Sequence, residues 1–251
     1  MSEKRTAAIV VGHGSIHSDS GKSMIRIAAR LREQGIASIV EAGFLNYNAP
    51  TLADAVQKGL GQGAMHFVIQ PYFLIDGHYA SQDLPALVHT VAATVPTGTF
   101  TLGETLGYHA GLVKLVQKRV TAVDPGPYQE SALLVVAHGT PLEAANAPIH
   151  RVAAKVGKAL GYAQTAVAFL DCNAPAIPAA IAQLVTSGYR RLVVQPYFLH
   201  LGRHVRSDLP ALFDRSRGEY PEVELLVAHH LDYDPLLVDV AAERVLAAVS
   251  C

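Results

Sequence analysis

The chain has 251 residues, half of them apolar and 16% charged, with a formal net charge of −1. That length suits two domains of about 100–150 residues with sizeable cores, and the balanced charge, with no block of five or more Lys or Arg, leaves no footprint for nucleic acid or a membrane surface. Cys172 and Cys251 are the only cysteines and lack metal-ligand spacing, which argues against a disulfide framework, a zinc knuckle or an iron–sulfur cluster, so any metal must be held by His, carboxylate or substrate.

Met1-Ser2-Glu3-Lys4-Arg5 leads into an apolar run too short for a signal peptide or a spanning helix, so a cytoplasmic location is expected. Hydrophobic periodicity then predicts strands near 7–12, 38–44, 66–72 and 98–103, alternating with helices near 19–33, 50–60, 80–94 and 108–121. Continuous apolar strands such as Ala7-Ala8-Ile9-Val10-Val11 suit a sheet covered by helices on both faces. Asp124-Pro125-Gly126-Pro127 cannot continue a helix and marks a linker, after which the same order of elements starts again.

The restart is a sequence repeat with an offset of 125. Val10-Val11-Gly12-His13-Gly14-Ser15 returns as Val135-Val136-Ala137-His138-Gly139-Thr140, Phe44-Leu45-Asn46-Tyr47-Asn48-Ala49-Pro50 as Phe169-Leu170-Asp171-Cys172-Asn173-Ala174-Pro175, and Pro71-Tyr72-Phe73-Leu74 as Pro196-Tyr197-Phe198-Leu199. A period this long is no solenoid unit. It predicts two copies of one α/β domain, 1–124 and 130–251, each a mostly parallel four-stranded sheet flanked by helices.

Ligands of open parallel sheets bind beyond the carboxyl ends of the strands, and chemistry-bearing residues collect there. The first strand of each half runs into His-Gly, then Ser15 or Thr140, whose hydroxyl can cap the coming helix or donate to an anion. The third strand is followed by His78, Tyr79 and Asp83 in the first half, and by Arg203, His204, Arg206 and Asp208 in the second. Under the fixed offset His204 faces Tyr79, so His78 is displaced by one position, and Asp171 faces Asn46. The second half thus offers His138, Asp171 and His204 at neighbouring strand ends. Two imidazoles and a carboxylate suit either a borderline divalent metal or a general base with an orienting carboxylate. Asp83 and Asp208, before Leu-Pro, read as helix caps. Tyr72, Phe73, Tyr197 and Phe198 read as core, and His66, His89, His109, His150 and His229, which lack a repeated partner, as surface or satisfied residues.

Taken together, the His-Gly-Ser/Thr opening, the Phe-Leu…Pro second strand, and the Pro-Tyr-Phe-Leu third strand followed by His204-Val205 and Asp208-Leu209-Pro210 resemble the class II tetrapyrrole chelatases, the sirohydrochlorin cobalto- and ferrochelatases. The resemblance spans both halves and is to the long, duplicated form with two flavodoxin-like lobes. It implies ATP-independent insertion of Co²⁺ or Fe²⁺, with Ni²⁺ a further option, into sirohydrochlorin for cobalamin or sirohaem synthesis. The metal is then substrate, and no tightly bound cofactor is expected. By this resemblance the family's first histidine falls on His13 and His138, its second on His204, and its acidic residue on Asp171, with His78 a substitute ligand in the first half. Duplicated relatives tend to keep the working pair in the first half, so a pair in the second is a departure. Ser15, Thr140, Arg203 and Arg206, with Lys22 and Arg26, are candidates for the substrate carboxylates by position. A nucleotide-handling α/β protein is a weak rival because neither glycine-rich phosphate motif is present. A non-enzymatic tetrapyrrole or metal carrier needs similar ligands and differs in turnover.

Overall fold

The computed structural model describes residues 5–15 and 21–250. Among the described residues eight strands alternate with helices: β1 (Arg5–Gly12), α1 (Lys22–Glu33), β2 (Ile39–Phe44), α2 (Leu52–Gly61), β3 (Ala64–Pro71), α3 (Leu84–Ala93), β4 (Thr99–Leu102) and α4 (Ala110–Val123), then β5 (Ala132–Ala137), α5 (Ala147–Leu160), β6 (Gln164–Phe169), α6 (Ile177–Thr186), β7 (Arg191–Pro196), α7 (Leu209–Glu219), β8 (Glu224–Val227) and α8 (Pro235–Val249). Positions 19 and 20 of the first expected helix lie outside the described residues. None of the described helices is long and apolar enough to cross a membrane.

The strands form two four-stranded sheets, ordered β2-β1-β3-β4 and β6-β5-β7-β8, with every pairing parallel. Ala7, Ile9 and Val11 point into one core shared with α2 and α3, while Ala8 and Val10 are equally buried on the opposite face. The unbroken apolar run therefore has the cause the sequence suggests. The second sheet repeats the arrangement, with Leu134 and Val136 packed toward α6 and α7. Since the chain reverses its direction of winding between β1 and β3, and again between β5 and β7, the crevice at each switch point opens beside the strand ends that carry the histidines.

One expected helix, 80–94, divides in two. Tyr79–Asp83 forms a single π-helical turn ahead of α3, and His204–Asp208 does the same ahead of α7. Pro85 and Pro210 lie in the first turn of the following helix and have no N–H to give, while the preceding amides of Leu84 and Leu209 reach back five residues, to the carbonyls of Tyr79 and His204.

The packing units differ from the sequence repeats. Residues up to Gly107 form one compact unit with those from Pro235 onward, and Tyr108–Asp234 form the other. In the first unit α8 covers β3 and packs on α1; in the second, α4 packs on β7 and α5. The repeat halves 1–124 and 130–251 thus describe the sequence, while each unit takes its last helix from the other half. Segment 124–131 shows why α4 stays beside β5. Asp124 is fully buried, accepts from the Gly126 amide at 3.0 Å and the Tyr162 hydroxyl at 3.2 Å, and pairs with Arg191 at 2.8 Å. What reads as a linker is an anchored turn.

Candidate functional site

Each first-strand histidine is set by the glycine after it. Gly14 and Gly139 have φ of +85° and +89°, and a Cβ there would stand 1.8 Å from the Asn46 carbonyl oxygen or 2.4 Å from that of Asp171. Only glycine meets both demands. The loops after adjacent strands are tied together: Asn46 N donates to His13 O and Asp171 N to His138 O, both at 3.0 Å. The asparagine two residues on completes the frame, with Asn48 accepting from Ser15 N at 2.6 Å and Asn173 from Thr140 N at 2.7 Å. Those amides are consequently engaged within the protein, and Thr140 is itself buried.

In the second unit the histidines meet. The rings of His138, after β5, and His204, after β7, lie edge to face with centroids 4.9 Å apart. Nδ1 of His138 is 3.2 Å from the Gly139 carbonyl, and Nδ1 of His204 is 2.8 Å from the Asp208 carboxylate. Both partners only accept, so each neutral ring carries its proton on Nδ1 and its lone pair on Nε2. Asp208 does not cap α7 with its side chain, contrary to the sequence reading; the π-helical turn instead places it four residues from His204 to orient that ring. Arg203 approaches the same carboxylate at 3.6 Å. Asp171 Oδ1 accepts from the Cys172 amide at 2.8 Å, and the donor atoms of His138, Asp171 and His204 do not all lie within 4.8 Å of one another.

The first unit keeps the frame with other side chains. The Tyr79 ring lies 4.0 Å from that of His13, where His204 stands against His138, and Tyr47 lies 5.8 Å away. His78 takes the place of Arg203 and, like it, reaches the aspartate of its turn, with Nε2 3.3 Å from Asp83. The displaced histidine does not fill the position of Tyr79. Arg206 is exposed, and its Nε donates to Leu201 O at 3.1 Å. Tyr72 and Tyr197 are buried, as their core reading expects.

A second cluster, beyond β8, carried no signal in the repeat. His229, His230 and Asp232 each bring a donor atom, all within 4.8 Å of one another. His229 is exposed, as the surface reading expects, and stands beside two further donor-bearing side chains. Burial, and secondarily His229, pushes the pKa of His230 down to about 4, which leaves its ring neutral at pH 7. The signal available in the sequence was local: two adjacent histidines and an aspartate directly after a strand, where the first half has Glu104, Thr105 and Gly107.

Against this geometry the comparisons are specific. The family model CbiX matches residues 7–123 and again 132–248. The sirohydrochlorin cobaltochelatase of Priestia megaterium is 21% identical over 95% of this chain and 78% of its own length. The sirohydrochlorin ferrochelatase of the same organism is 20% identical over 97% and 91%. Among solved structures, SirB from Bacillus subtilis with Fe3+ matches with a TM-score of 0.86 at 20% identity, covering 98% of this chain and 97% of that one, a likeness of fold. With both repeats matched over nearly their full length, this chain belongs to the CbiX family.

Proposed function

We propose that this chain inserts Co²⁺ or Fe²⁺ into sirohydrochlorin without ATP, and that His138 and His204 are the residues that handle the incoming metal. The observation that carries the residue assignment is the pair itself: two imidazoles from neighbouring strand ends, at the switch point of the sheet, with both Nδ1 atoms engaged and both Nε2 atoms left as donors. Membership of the CbiX family and similarity to cobalto- and ferrochelatases support the reaction.

Metallation of a free-base macrocycle takes in M²⁺ and releases two pyrrole protons. The protein must therefore hold the ion through neutral, exchangeable ligands and offer a base for the protons. Imidazole serves both needs. Asp208 stabilises the imidazolium formed when His204 accepts a proton, and holds the ring in place before that. Arg203 and Arg206, exposed on the same turn, supply positive charge for the carboxylates of the macrocycle. In the first unit Tyr79 and Asn46 replace an imidazole and a carboxylate, so His13 lacks a partner of this kind.

The test is anaerobic metallation of sirohydrochlorin with Co²⁺ or Fe²⁺, followed by visible absorption over many equivalents per chain. His138→Ala and His204→Ala should each lower the rate at least tenfold, with His13→Ala less severe. The reverse order would move the working site to the first unit. Arrest at one equivalent would make the protein a carrier.

A further inference from the structure

We propose that His229, His230 and Asp232 form a second binding site for a divalent ion of borderline character, such as Co²⁺, Fe²⁺, Ni²⁺ or Zn²⁺, separate from the His138–His204 pair. The three donor atoms lie within 4.8 Å of one another at the carboxyl end of β8. His230 is only 4% exposed, and its Nε2 is buried with no hydrogen-bond partner. A buried polar atom left unmatched is unfavourable, and binding a cation through it would relieve that cost. His229 Nδ1 lies 2.9 Å from the His230 carbonyl, which only accepts, so the neutral ring presents its Nε2 lone pair. Two imidazoles and a carboxylate match the preference of these ions for nitrogen with a hard anionic oxygen, and leave coordination positions open for exchange.

The loop is held as a preorganised site requires. Gln195 Nε2 donates to His229 O at 3.1 Å, Arg119 donates to the carbonyls of His230 and Leu231 at 3.2 and 2.7 Å, and Leu231 N donates to Phe198 O at 3.0 Å. The Arg119 charge would oppose a cation, but Asp234 stands 3.4 Å from its guanidinium and also pairs with Lys118. Metal–nitrogen bonds of about 2.1 Å require the donors to close in, and the His229 ring, stacked on His230 with centroids 4.4 Å apart, to turn so that both lone pairs meet one ion. That movement falls to His229 and Asp232, which are exposed and half-buried, while His230 stays fixed.

The comparison between repeats points the same way. Asp232 has φ of +47°, and its counterpart Gly107 has +56°, so the left-handed turn belongs to the fold. A glycine meets that conformation at less cost than an aspartate, yet the second half carries the carboxylate. Histidines stand at 229 and 230 where the first half has Glu104 and Thr105, and His200, which bears electrostatically on His230, replaces Ile75. Of these four positions in the first half, only Glu104 carries a His, Cys or carboxylate side chain, whereas all four do in the second.

The experiment is equilibrium dialysis of the full chain against Co²⁺ at neutral pH under anaerobic conditions, with bound metal measured directly. The double variant His138→Ala/His204→Ala should retain about one Co²⁺ per chain. Adding His229→Ala or Asp232→Asn should weaken that binding at least tenfold, with circular dichroism unchanged because neither side chain is part of the core. Loss of all binding in the double variant, or retention that neither further substitution affects, overturns the site. The readout uses metal alone, so an inactive chelatase with intact Co²⁺ binding would count against the proposed function and not against this site.

Discussion

Asp208 acts at the scale of a single side chain, and its spacing explains how. Before Leu-Pro in the sequence it has the features of a helix cap, yet its carboxylate engages His204 Nδ1 because the π-helical turn brings those two residues together. Outer-sphere partners of this kind change metal affinity or activity by about 10–100-fold. Asp208→Ala should lower the metallation rate within that range and raise the metal concentration needed for half-maximal rate, with the unfolding temperature unchanged. Asp208→Asn, which keeps an acceptor and loses the charge, should recover part of the rate. Equal rates for wild type and Asp208→Ala would remove the aspartate from the mechanism. The His-Gly pairs were readable at this scale because a repeated glycine beside a repeated histidine has a steric cause, confirmed by the clash that a Cβ would meet at Gly14 and Gly139. Tyr79 was readable as a substitution but not as a ring packed on His13, since a one-residue displacement of His78 fixes no direction until the turn is folded.

At the scale of elements, the two copies solve the same helix start differently. Thr51 opens α2 with a reciprocal capping box, its hydroxyl accepting from Asp54 N at 3.1 Å while Asp54 accepts from Thr51 N at 2.8 Å. The Asp54 carboxyl is held below its usual pKa by the Thr51 amide foremost, and then by the Thr51 hydroxyl, which donates to Oδ2 at 2.8 Å. Ala176, its counterpart before α6, makes no cap and relies on a proline in the first turn. Thr51→Ala should therefore destabilise the first unit by about 1 kcal/mol, a fall of about 3–5 °C in a thermal melt. An unchanged melt would show that burial of Leu52, Ala55 and Val56 alone holds α2. Strand and helix positions were legible because period and turn residues are local properties. The π-helical turns were not, because apolar periodicity does not distinguish a turn closed at i−5 from one closed at i−4.

For the molecule as a whole, the exchanged helices make a prediction that the repeat alone would get wrong. Cutting after 234 preserves both sequence copies through β8 but removes α8, whose Leu237, Val240, Ala241 and Val245 are fully buried in the first unit. Deleting residues 235–251 should expose apolar surface on the first unit, seen as increased dye binding and a lower unfolding temperature, while the melt of the second unit changes little. Damage confined to the second unit would contradict the packing. The sequence by itself determined two α/β copies, their strand order of appearance, the glycine-set histidines and the resemblance that the CbiX match bears out. Tertiary structure alone decided which helix covers which sheet, which histidines face each other, that the Asp171 carboxylate accepts from the Cys172 amide, and that His229, His230 and Asp232 come together. The physical reason is that local pattern fixes what an element is, whereas two copies with the same apolar faces offer equivalent docking surfaces. Only the short, anchored connection from α4 to β5 and the loop geometry at the strand ends break that equivalence.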